Sequence, residues 1–295
     1  LPGRCDRVVE ILEAIVNGVL VGGVYAIISV GLTLVYGIMD IVNFAQADFL
    51  MLGMFAAYLS AQFLGLDPIL SSLLVFPIIF LVGALVQRGL VQRVQKAPIV
   101  SQIFLTVGLS LVLQSLMQMI FGANFRSVTT SYQTQAIAVG PLNLSVPYVL
   151  AFLASAVMAV ALWLFLERTD LGRCMRATAQ NRLAAILVGI DPSKMYVIAF
   201  GIGTALAAVA GAVILPYAYV FPTVGHQYAL IMFTVVVLGG LGNVLGALVG
   251  GLLVGVIHSV SAVFLPTQLQ NLVVFLIFIL TLTFKPTGLL GRRTA

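Results

Sequence analysis

Ionisable and amide side chains are scarce in this sequence, so the few places where they gather define the chemistry available to it. The first is the stretch GIMDIVNFAQADFLMLG at residues 37–53, which sets Asp40, Asn43, Gln46 and Asp48 between apolar runs. A charge at the centre of a bilayer costs about 2.5–3.5 kcal/mol on insertion scales, so such groups belong at an interface, at a helix break or beside a wet cavity. Two readings follow: Asp48 caps the helix that continues to about Leu64, or Asn43, Gln46 and Asp48 line a translocation pathway. The second gathering is residues 167–194, ERTDLGRCMRATAQNRLAAILVGIDPSK, the longest charged segment of the chain. Catalytic groupings are missing. Lys96, Lys194 and Lys285 follow Gln95, Ser193 and Phe284, so no glycine-lysine step of a Walker A loop is present and ATP hydrolysis by that route is excluded. His226 and His258 lie far apart without a nearby carboxylate or cysteine, which argues against zinc and against histidine-based catalysis. Cys5 and Cys174 are too few for a disulfide framework and read as incidental.

The elements that carry these residues are membrane spans. Of 295 residues, 61% are hydrophobic and only 8% charged, against roughly 25% charged in a soluble domain. Uncharged runs of about 20 residues, enough to cross a bilayer as helix, recur along the whole sequence. Transmembrane strands would instead show shorter alternating segments. The expected fold is all-α: a polytopic transmembrane helical protein of about eight to ten membrane segments, with a broken or re-entrant element near residues 37–50. Residues 11–36 run longer than a signal-peptide core, so this segment is expected to remain. Although the formal charge is +5, the basic residues are dispersed among spans rather than gathered on a soluble face, so nucleic acid is not an expected partner; membrane lipid is.

In order, residues 14–36 form a first span and residues 69–86 a clear later one that ends in Arg88, Arg93 and Lys96. A further span covers residues 99–121, with Gln114 and Gln118 one helical turn apart and suited to an interhelical hydrogen bond. Residues 122–146 read as a surface loop with Arg126 alone, and residues 148–166 cross again, Trp163 anchoring the end. From Met195 to Phe284 no Asp, Glu, Lys or Arg occurs, and breaks at 215–225, 239–243 and Pro266 divide this run into four crossings. Gly242, Gly246 and Gly250 recur every fourth residue and set bare backbone on a helix stripe for close packing. Eleven of the fourteen basic residues fall in the loop after the later span, in residues 167–194 and in the tail, which the positive-inside rule makes cytoplasmic. Residues 14–64 hold either two spans, which leaves the N-terminus on the opposite side, or one span and a re-entrant or broken helix, which leaves it on this side; Arg4 and Arg7 lean towards the second, and the polar cluster at 40–48 favours a broken element. NFAQADFLMLG in the first half and HQYALIMFTVVVLGG in the second each lead from polar residues into an apolar helix, an echo of the internal repeats of transporters.

Within residues 167–194, good helix formers run from Arg173 to Gly189 with an apolar edge at Leu183, Ile186 and Leu187, and Asp191–Pro192 closes the segment. A short amphipathic helix between two spans suits docking into a groove of a soluble partner; a solvated basic loop that only sets topology is the competing reading. An ion-coupled carrier would place ionisable groups within its spans, and a channel would give the long loop no purpose.

Five stretches in order resemble the permease subunits of branched-chain amino acid ABC importers of the LivH type: GVYAIISVGLTLVYGIMDIVNFAQADFLMLG (23–53), TDLGRCMRATAQNRLAAILVGID (169–191), AVILP (212–216), VVVLGGLGNVLGALVGG (235–251) and KPTGLLG (285–291). The resemblance covers nearly the whole chain. It implies a single permease domain over 1–295 with a cytoplasmic coupling segment at 167–194, a non-enzymatic subunit of the bacterial inner membrane. The implied partners are a second homologous permease, two cytoplasmic ATPase subunits and a periplasmic solute-binding protein. No cofactor is expected in this chain; ATP and Mg belong to the ATPases. Gly172, Arg173, Arg176, Ala177, Asn181 and Gly189 match the family's coupling segment. One departure stands out, since Ala47 precedes Asp48 where the family pattern has glycine. Leucine, isoleucine and valine are the implied substrates, with urea or short-chain amides, carried by permeases with similar motifs, as the alternative.

Overall fold

A computed structural model describes residues 4–140, 142–285 and 287–291, with no account of the side chains of residues 4–7, 139, 267 and 268. The basic pair Arg292 and Arg293 therefore lies outside the described residues. Long apolar runs become helices: α1 (Arg4–Met39), α2 (Gln46–Leu64), α3 (Pro68–Val86), α4 (Gln92–Val94), α5 (Ile99–Phe121), α6 (Val146–Arg168), α7 (Asp170–Gln180), α8 (Arg182–Leu187), α9 (Pro192–Ile214), α10 (Gly225–Gly239), α11 (Val244–Phe264) and α12 (Thr267–Phe284). A π turn at Gln87–Val91 joins α3 to α4 as one continuous rod. Among the described residues, seven helices are long and apolar enough to cross a membrane, and two shorter apolar ones, Gly225–Gly239 and Leu269–Phe284, accompany them. Residues 122–146 are more ordered than a plain loop, because two short antiparallel strands, β1 (Ala136–Val139) and β2 (Leu142–Ser145), pair Ala136 with Ser145 and Val139 with Leu142.

Two helices form the centre. α9 is buried without a break from Ala199 to Ile214, and α1 packs along both α9 and α11. Close approach requires missing side chains. Gly18 and Gly22 of α1 meet the backbone of α11 at Gly255 and Gly251, and a Cβ on Gly53 of α2 would land on the backbone of Ala208 in α9. The Gly242–Gly246–Gly250 stripe divides: Gly246 and Gly250 pack on α10 at Gly239 and Val235, whereas Gly242 sits in the preceding turn at φ 81° against Gly37. Only a residue free of a Cβ adopts that backbone readily.

The side of the N-terminus differs from the sequence expectation. The backbone N–H of Asn143 in β2 donates to Glu13 Oε1 at 3.1 Å, so the start of α1 lies with the 122–145 loop, opposite the basic segments. At 1.5 Å per residue α1 is about 54 Å long, more than a bilayer core, and its first turns reach beyond it to the hairpin. Two arginines at the start of this 36-residue helix carry little topological weight against the packing along the rest of its length.

On the same side, Asp67 caps α3 by accepting from the Ile69 N–H at 2.8 Å and also accepts from the Tyr132 hydroxyl at 2.9 Å. Burial, and then the neighbouring Asp67, hold the Tyr132 hydroxyl above the ordinary tyrosine range. Arg126, the only basic residue of this loop, exchanges backbone hydrogen bonds with Val220 at 3.0 and 2.9 Å and donates its guanidinium to the Phe121 carbonyl at 2.8 Å. It also lies over the rings of Tyr58 and Phe121. That one residue ties α2 and α5 through its side chain and the 215–224 segment through its backbone.

Candidate functional site: a polar centre between two half-helices

α1 ends because Asp40 takes a left-handed conformation, φ 55°, with its N–H returning to the Tyr36 carbonyl at 2.8 Å. Among the described residues it is the one non-glycine with positive φ. Residues 40–45 are then not helical. They climb back along α1, because Gln46, where α2 begins, donates its Nε2 to the carbonyl of Gly203 at 2.8 Å, halfway along α9. The broken element read from the sequence is thus present, and α2 starts at mid-depth.

The second half repeats this with the opposite sense. After α9 the chain turns back through residues 215–224, and α10 begins at Gly225, against the Ala47 carbonyl and the Asp48 carboxylate. From there α10 runs toward the basic side while α2 runs away from it. The starts of α2 and α10 therefore meet in the middle of the protein. Their unpaired N–H ends carry partial positive charge, which suits a carboxylate placed between them. Asp48 is that carboxylate, 2% exposed and in the first turn of α2.

Asn43 and Gln46 are structural to this break. Asn43 Oδ1 accepts from the Ala45 N–H at 3.1 Å, its Nδ2 donates to Gln46 Oε1 at 3.0 Å, and both residues are fully buried. The capping reading of Asp48 changes: the N-cap is Ala45, without a side-chain bond, and the local cap is supplied by Asn43. Asp48 instead accepts from Gln114 Nε2 of α5 at 2.8 Å. Gln114 thereby makes the expected interhelical bond; Gln118 is exposed. Gln114 Nε2 also reaches Ser110 Oγ at 3.0 Å, and Gln114 Oε1 lies 3.1 Å from Nε2 of His226.

Along the sequence no carboxylate or cysteine lies near His226, which argues against a site there. The fold brings Asp48 within one intervening amide of it. The signal was the echo itself: HQYALIMF begins a half-helix at the same depth as the start of α2. No group of three potential metal ligands forms among the described residues. His226 and its neighbour Gln227 are exposed, as are Ser115 and Gln118 on α5. An exposed imidazole and amide at mid-depth are costly against lipid tails, so this side of the α5–α10 pair faces water or protein.

The basic segment is built as a bent arm. Thr169 caps α7 by accepting from the Gly172 N–H at 3.0 Å, Asn181 caps α8 by accepting from Ala184 at 3.0 Å, and Asp191 caps α9 by accepting from Ser193 at 3.0 Å. The single helix expected over residues 173–189 is therefore two, because Asn181 leaves the helical region and starts a new one. Asp191 opens α9 rather than closing the arm. Gly189, at φ 84°, ends α8, its N–H returning to the Ile186 carbonyl at 3.0 Å.

The matched coupling positions separate. Gly172 is buried where a Cβ would strike the Phe165 and Leu166 backbone, so it shapes the α6–α7 corner and offers no surface. Arg176 pairs with Glu167 and lines a cleft of about 760 Å³ between α1, α6, α7 and the start of α11. Ala177 is half-buried, whereas Arg173, paired with Asp170, and Asn181 and Gly189 are exposed. α8 adds an apolar tip, Leu183 75%, Leu187 87% and Val188 74% exposed.

This architecture agrees with the comparisons. The family model described as "Branched-chain amino acid transport system / permease component" matches residues 14–282. The chain belongs to this family. It is 31% identical over 294 residues to the high-affinity branched-chain amino acid transport system permease protein BraD of Pseudomonas aeruginosa, covering 95% of this chain and 96% of that one. It is 30% identical over 305 residues to the corresponding LivH protein of Escherichia coli K12, covering 97% of each. A ribose import permease, RbsC of Haemophilus influenzae, is 30% identical over 261 residues, 84% of this chain and 77% of that one. No solved structure matches. The chain is thus a multi-pass membrane protein and a permease component of a transport system.

Proposed function

We propose that this permease is one half of the translocation unit of an ATP-driven importer of branched-chain amino acids in the bacterial inner membrane. It pairs with a second, similar permease, receives solute from a periplasmic binding protein and is driven by two cytoplasmic ATPase subunits that hold ATP and Mg. The observation that carries this reading is the polar centre at mid-depth, open on the α5–α10 side, in a chain whose spans are otherwise uncharged. A pathway completed by a second permease gives the exposed His226, Gln227, Ser115 and Gln118 a polar setting that lipid does not. The relatives named for branched-chain amino acid transport supply the substrate class. The apolar, uncharged second half suits a zwitterion with a hydrocarbon side chain.

The α7–α8 arm supports the drive. On the basic side it presents Arg173 and Asn181 beside the exposed Leu183, Leu187 and Val188, an amphipathic tip for a groove on an ATPase. Arg182 lies over the Tyr196 ring at 5.6 Å and fastens the arm to α9, the helix that holds Gln46. The test is reconstitution in liposomes with both permeases, the ATPases and the binding protein. Leucine accumulation should require ATP, and the chain alone should accumulate none under an imposed proton gradient. Gradient-driven leucine uptake by this chain alone would establish an ion-coupled carrier instead.

A further inference from the structure

The hydrogen bonds of the polar centre run in one direction, and the direction fixes the state of His226. A carboxylate only accepts, so Asp48 takes the amide NH₂ of Gln114, at 2.8 Å. The amide is planar, so its oxygen points the other way, to His226 Nε2 at 3.1 Å. An amide oxygen only accepts, and Nε2 therefore carries the hydrogen. In the neutral ring that leaves Nδ1 with a bare lone pair. Nδ1 has no hydrogen-bond partner among the described residues, and His226 is exposed on the open side of the centre, beside Gln227.

We propose that His226 Nδ1 is the hydrogen-bond acceptor that meets a transported solute bearing an N–H donor, and that Asp48 and Gln114 are positioning residues which hold the ring in the Nε2–H tautomer. The α-ammonium group of an amino acid is the chemistry this acceptor fits; a carboxylate presented to the same atom is repelled. This rests on reading the chain as an amino acid permease. It places the solute contact on α10, in the second half, and leaves Asn43 and Gln46 to shape the break. It also gives the buried carboxylate a task at a distance, since Asp48 itself has little surface to offer a solute.

Two measurements test it. The chain has only two histidines, so the full chain labelled with ¹⁵N-histidine, in bilayers without solute, gives two pairs of ring-nitrogen signals, and a His258→Gln variant assigns the remaining pair to His226. At a pH where the ring is neutral, His226 should show a protonated Nε2 and a bare Nδ1; a protonated Nδ1 overturns the proposal, whatever the substrate proves to be. The second is radiolabelled leucine uptake by the assembled importer. His226→Gln, which keeps a side-chain acceptor, should retain uptake within about threefold, while His226→Leu and the donor-only His226→Arg should lose roughly tenfold or more, the scale of one hydrogen bond to a charged group. Equal uptake by His226→Leu and His226→Gln, in protein that inserts to the same level, overturns the contact. A wild-type importer that does not accumulate leucine would overturn the substrate reading of the preceding section and leave the tautomer result to stand or fall by itself.

Discussion

Replacing Gln114 with leucine, close to it in volume, removes the middle of the chain that joins Asp48 to His226. Asp48 is 2% exposed and Gln114 8%, so the loss occurs out of reach of bulk water. A hydrogen bond to a charged group contributes about 1.5–3 kcal/mol, and taking one partner from a buried charged pair costs about 3–5 kcal/mol because the remaining charge stays unpaired. The two helix starts and Ser110 still serve Asp48, so the lower end, about 3 kcal/mol, is expected. In the Asp48→Ala background that charge is gone. There, Gln114→Leu should cost less than about 1 kcal/mol, a coupling of about 2 kcal/mol across the double-mutant cycle. The readout is thermal unfolding of the purified chain, where 3 kcal/mol corresponds to a shift of roughly 6–12 °C for a protein of this size. If Gln114→Leu costs the same with and without Asp48, the two residues do not interact, and the account of the polar centre fails with them.

Other outcomes follow from the same geometry. With Cys5 and Cys174 replaced by serine, Glu10→Cys and Leu187→Cys should react with a membrane-impermeant maleimide from opposite sides of oriented vesicles; labelling from one side would contradict the placement of α1. Gly53→Ala forces a Cβ onto the Ala208 backbone and should destabilise by about 3 kcal/mol, whereas Gly108→Ala, which faces open space, should stay within roughly 0.5 kcal/mol in the same thermal assay. Leu187→Glu on the tip of α8 should lower ATP-driven leucine uptake at least about tenfold while insertion is unchanged, and Arg173→Glu should do the same. Normal uptake by both would remove the docking role of the arm.

How far these features were legible depends on the range of the interactions that make them. The spans came from runs of apolar residues, a local property, and α5 at Ile99–Phe121 matches its expected bounds. The break after α1 was legible because Asp40, Asn43, Gln46 and Asp48 cannot be placed together in lipid-facing helix. Caps were present in the sequence as Thr169, Asn181 and Asp191, each two or three residues before the N–H it accepts from. Asn181 is masked by alanines on both sides that favour continuous helix, a propensity worth only tenths of a kcal/mol per residue against about 1 kcal/mol for the cap. The Gln114–His226 bond spans 112 residues, and no spacing rule reaches that far.

The same distance argument explains why the second half can be so nearly free of charge. A polar centre needs its ionisable group once, and here Asp48 in the first half supplies it. The second half contributes an N-terminal helix end, one imidazole and bare backbone: α10 approaches α11 through Gly239 and Gly246, closely enough that neither tolerates a Cβ. Glycine packing replaces the polar contacts that a membrane interior makes costly. The short α10 is thereby held rigidly at its basic end, by Gly240 against Gly288 and by the Leu289 N–H on the Leu238 carbonyl at 2.7 Å. Its other end packs Gly225 against the Ala47 carbonyl and the Asp48 carboxylate, and there the His226 ring meets one amide of α5. A displacement of α5 relative to α10 would re-aim the Gln114–His226 bond, because that amide is the contact the imidazole makes with α5.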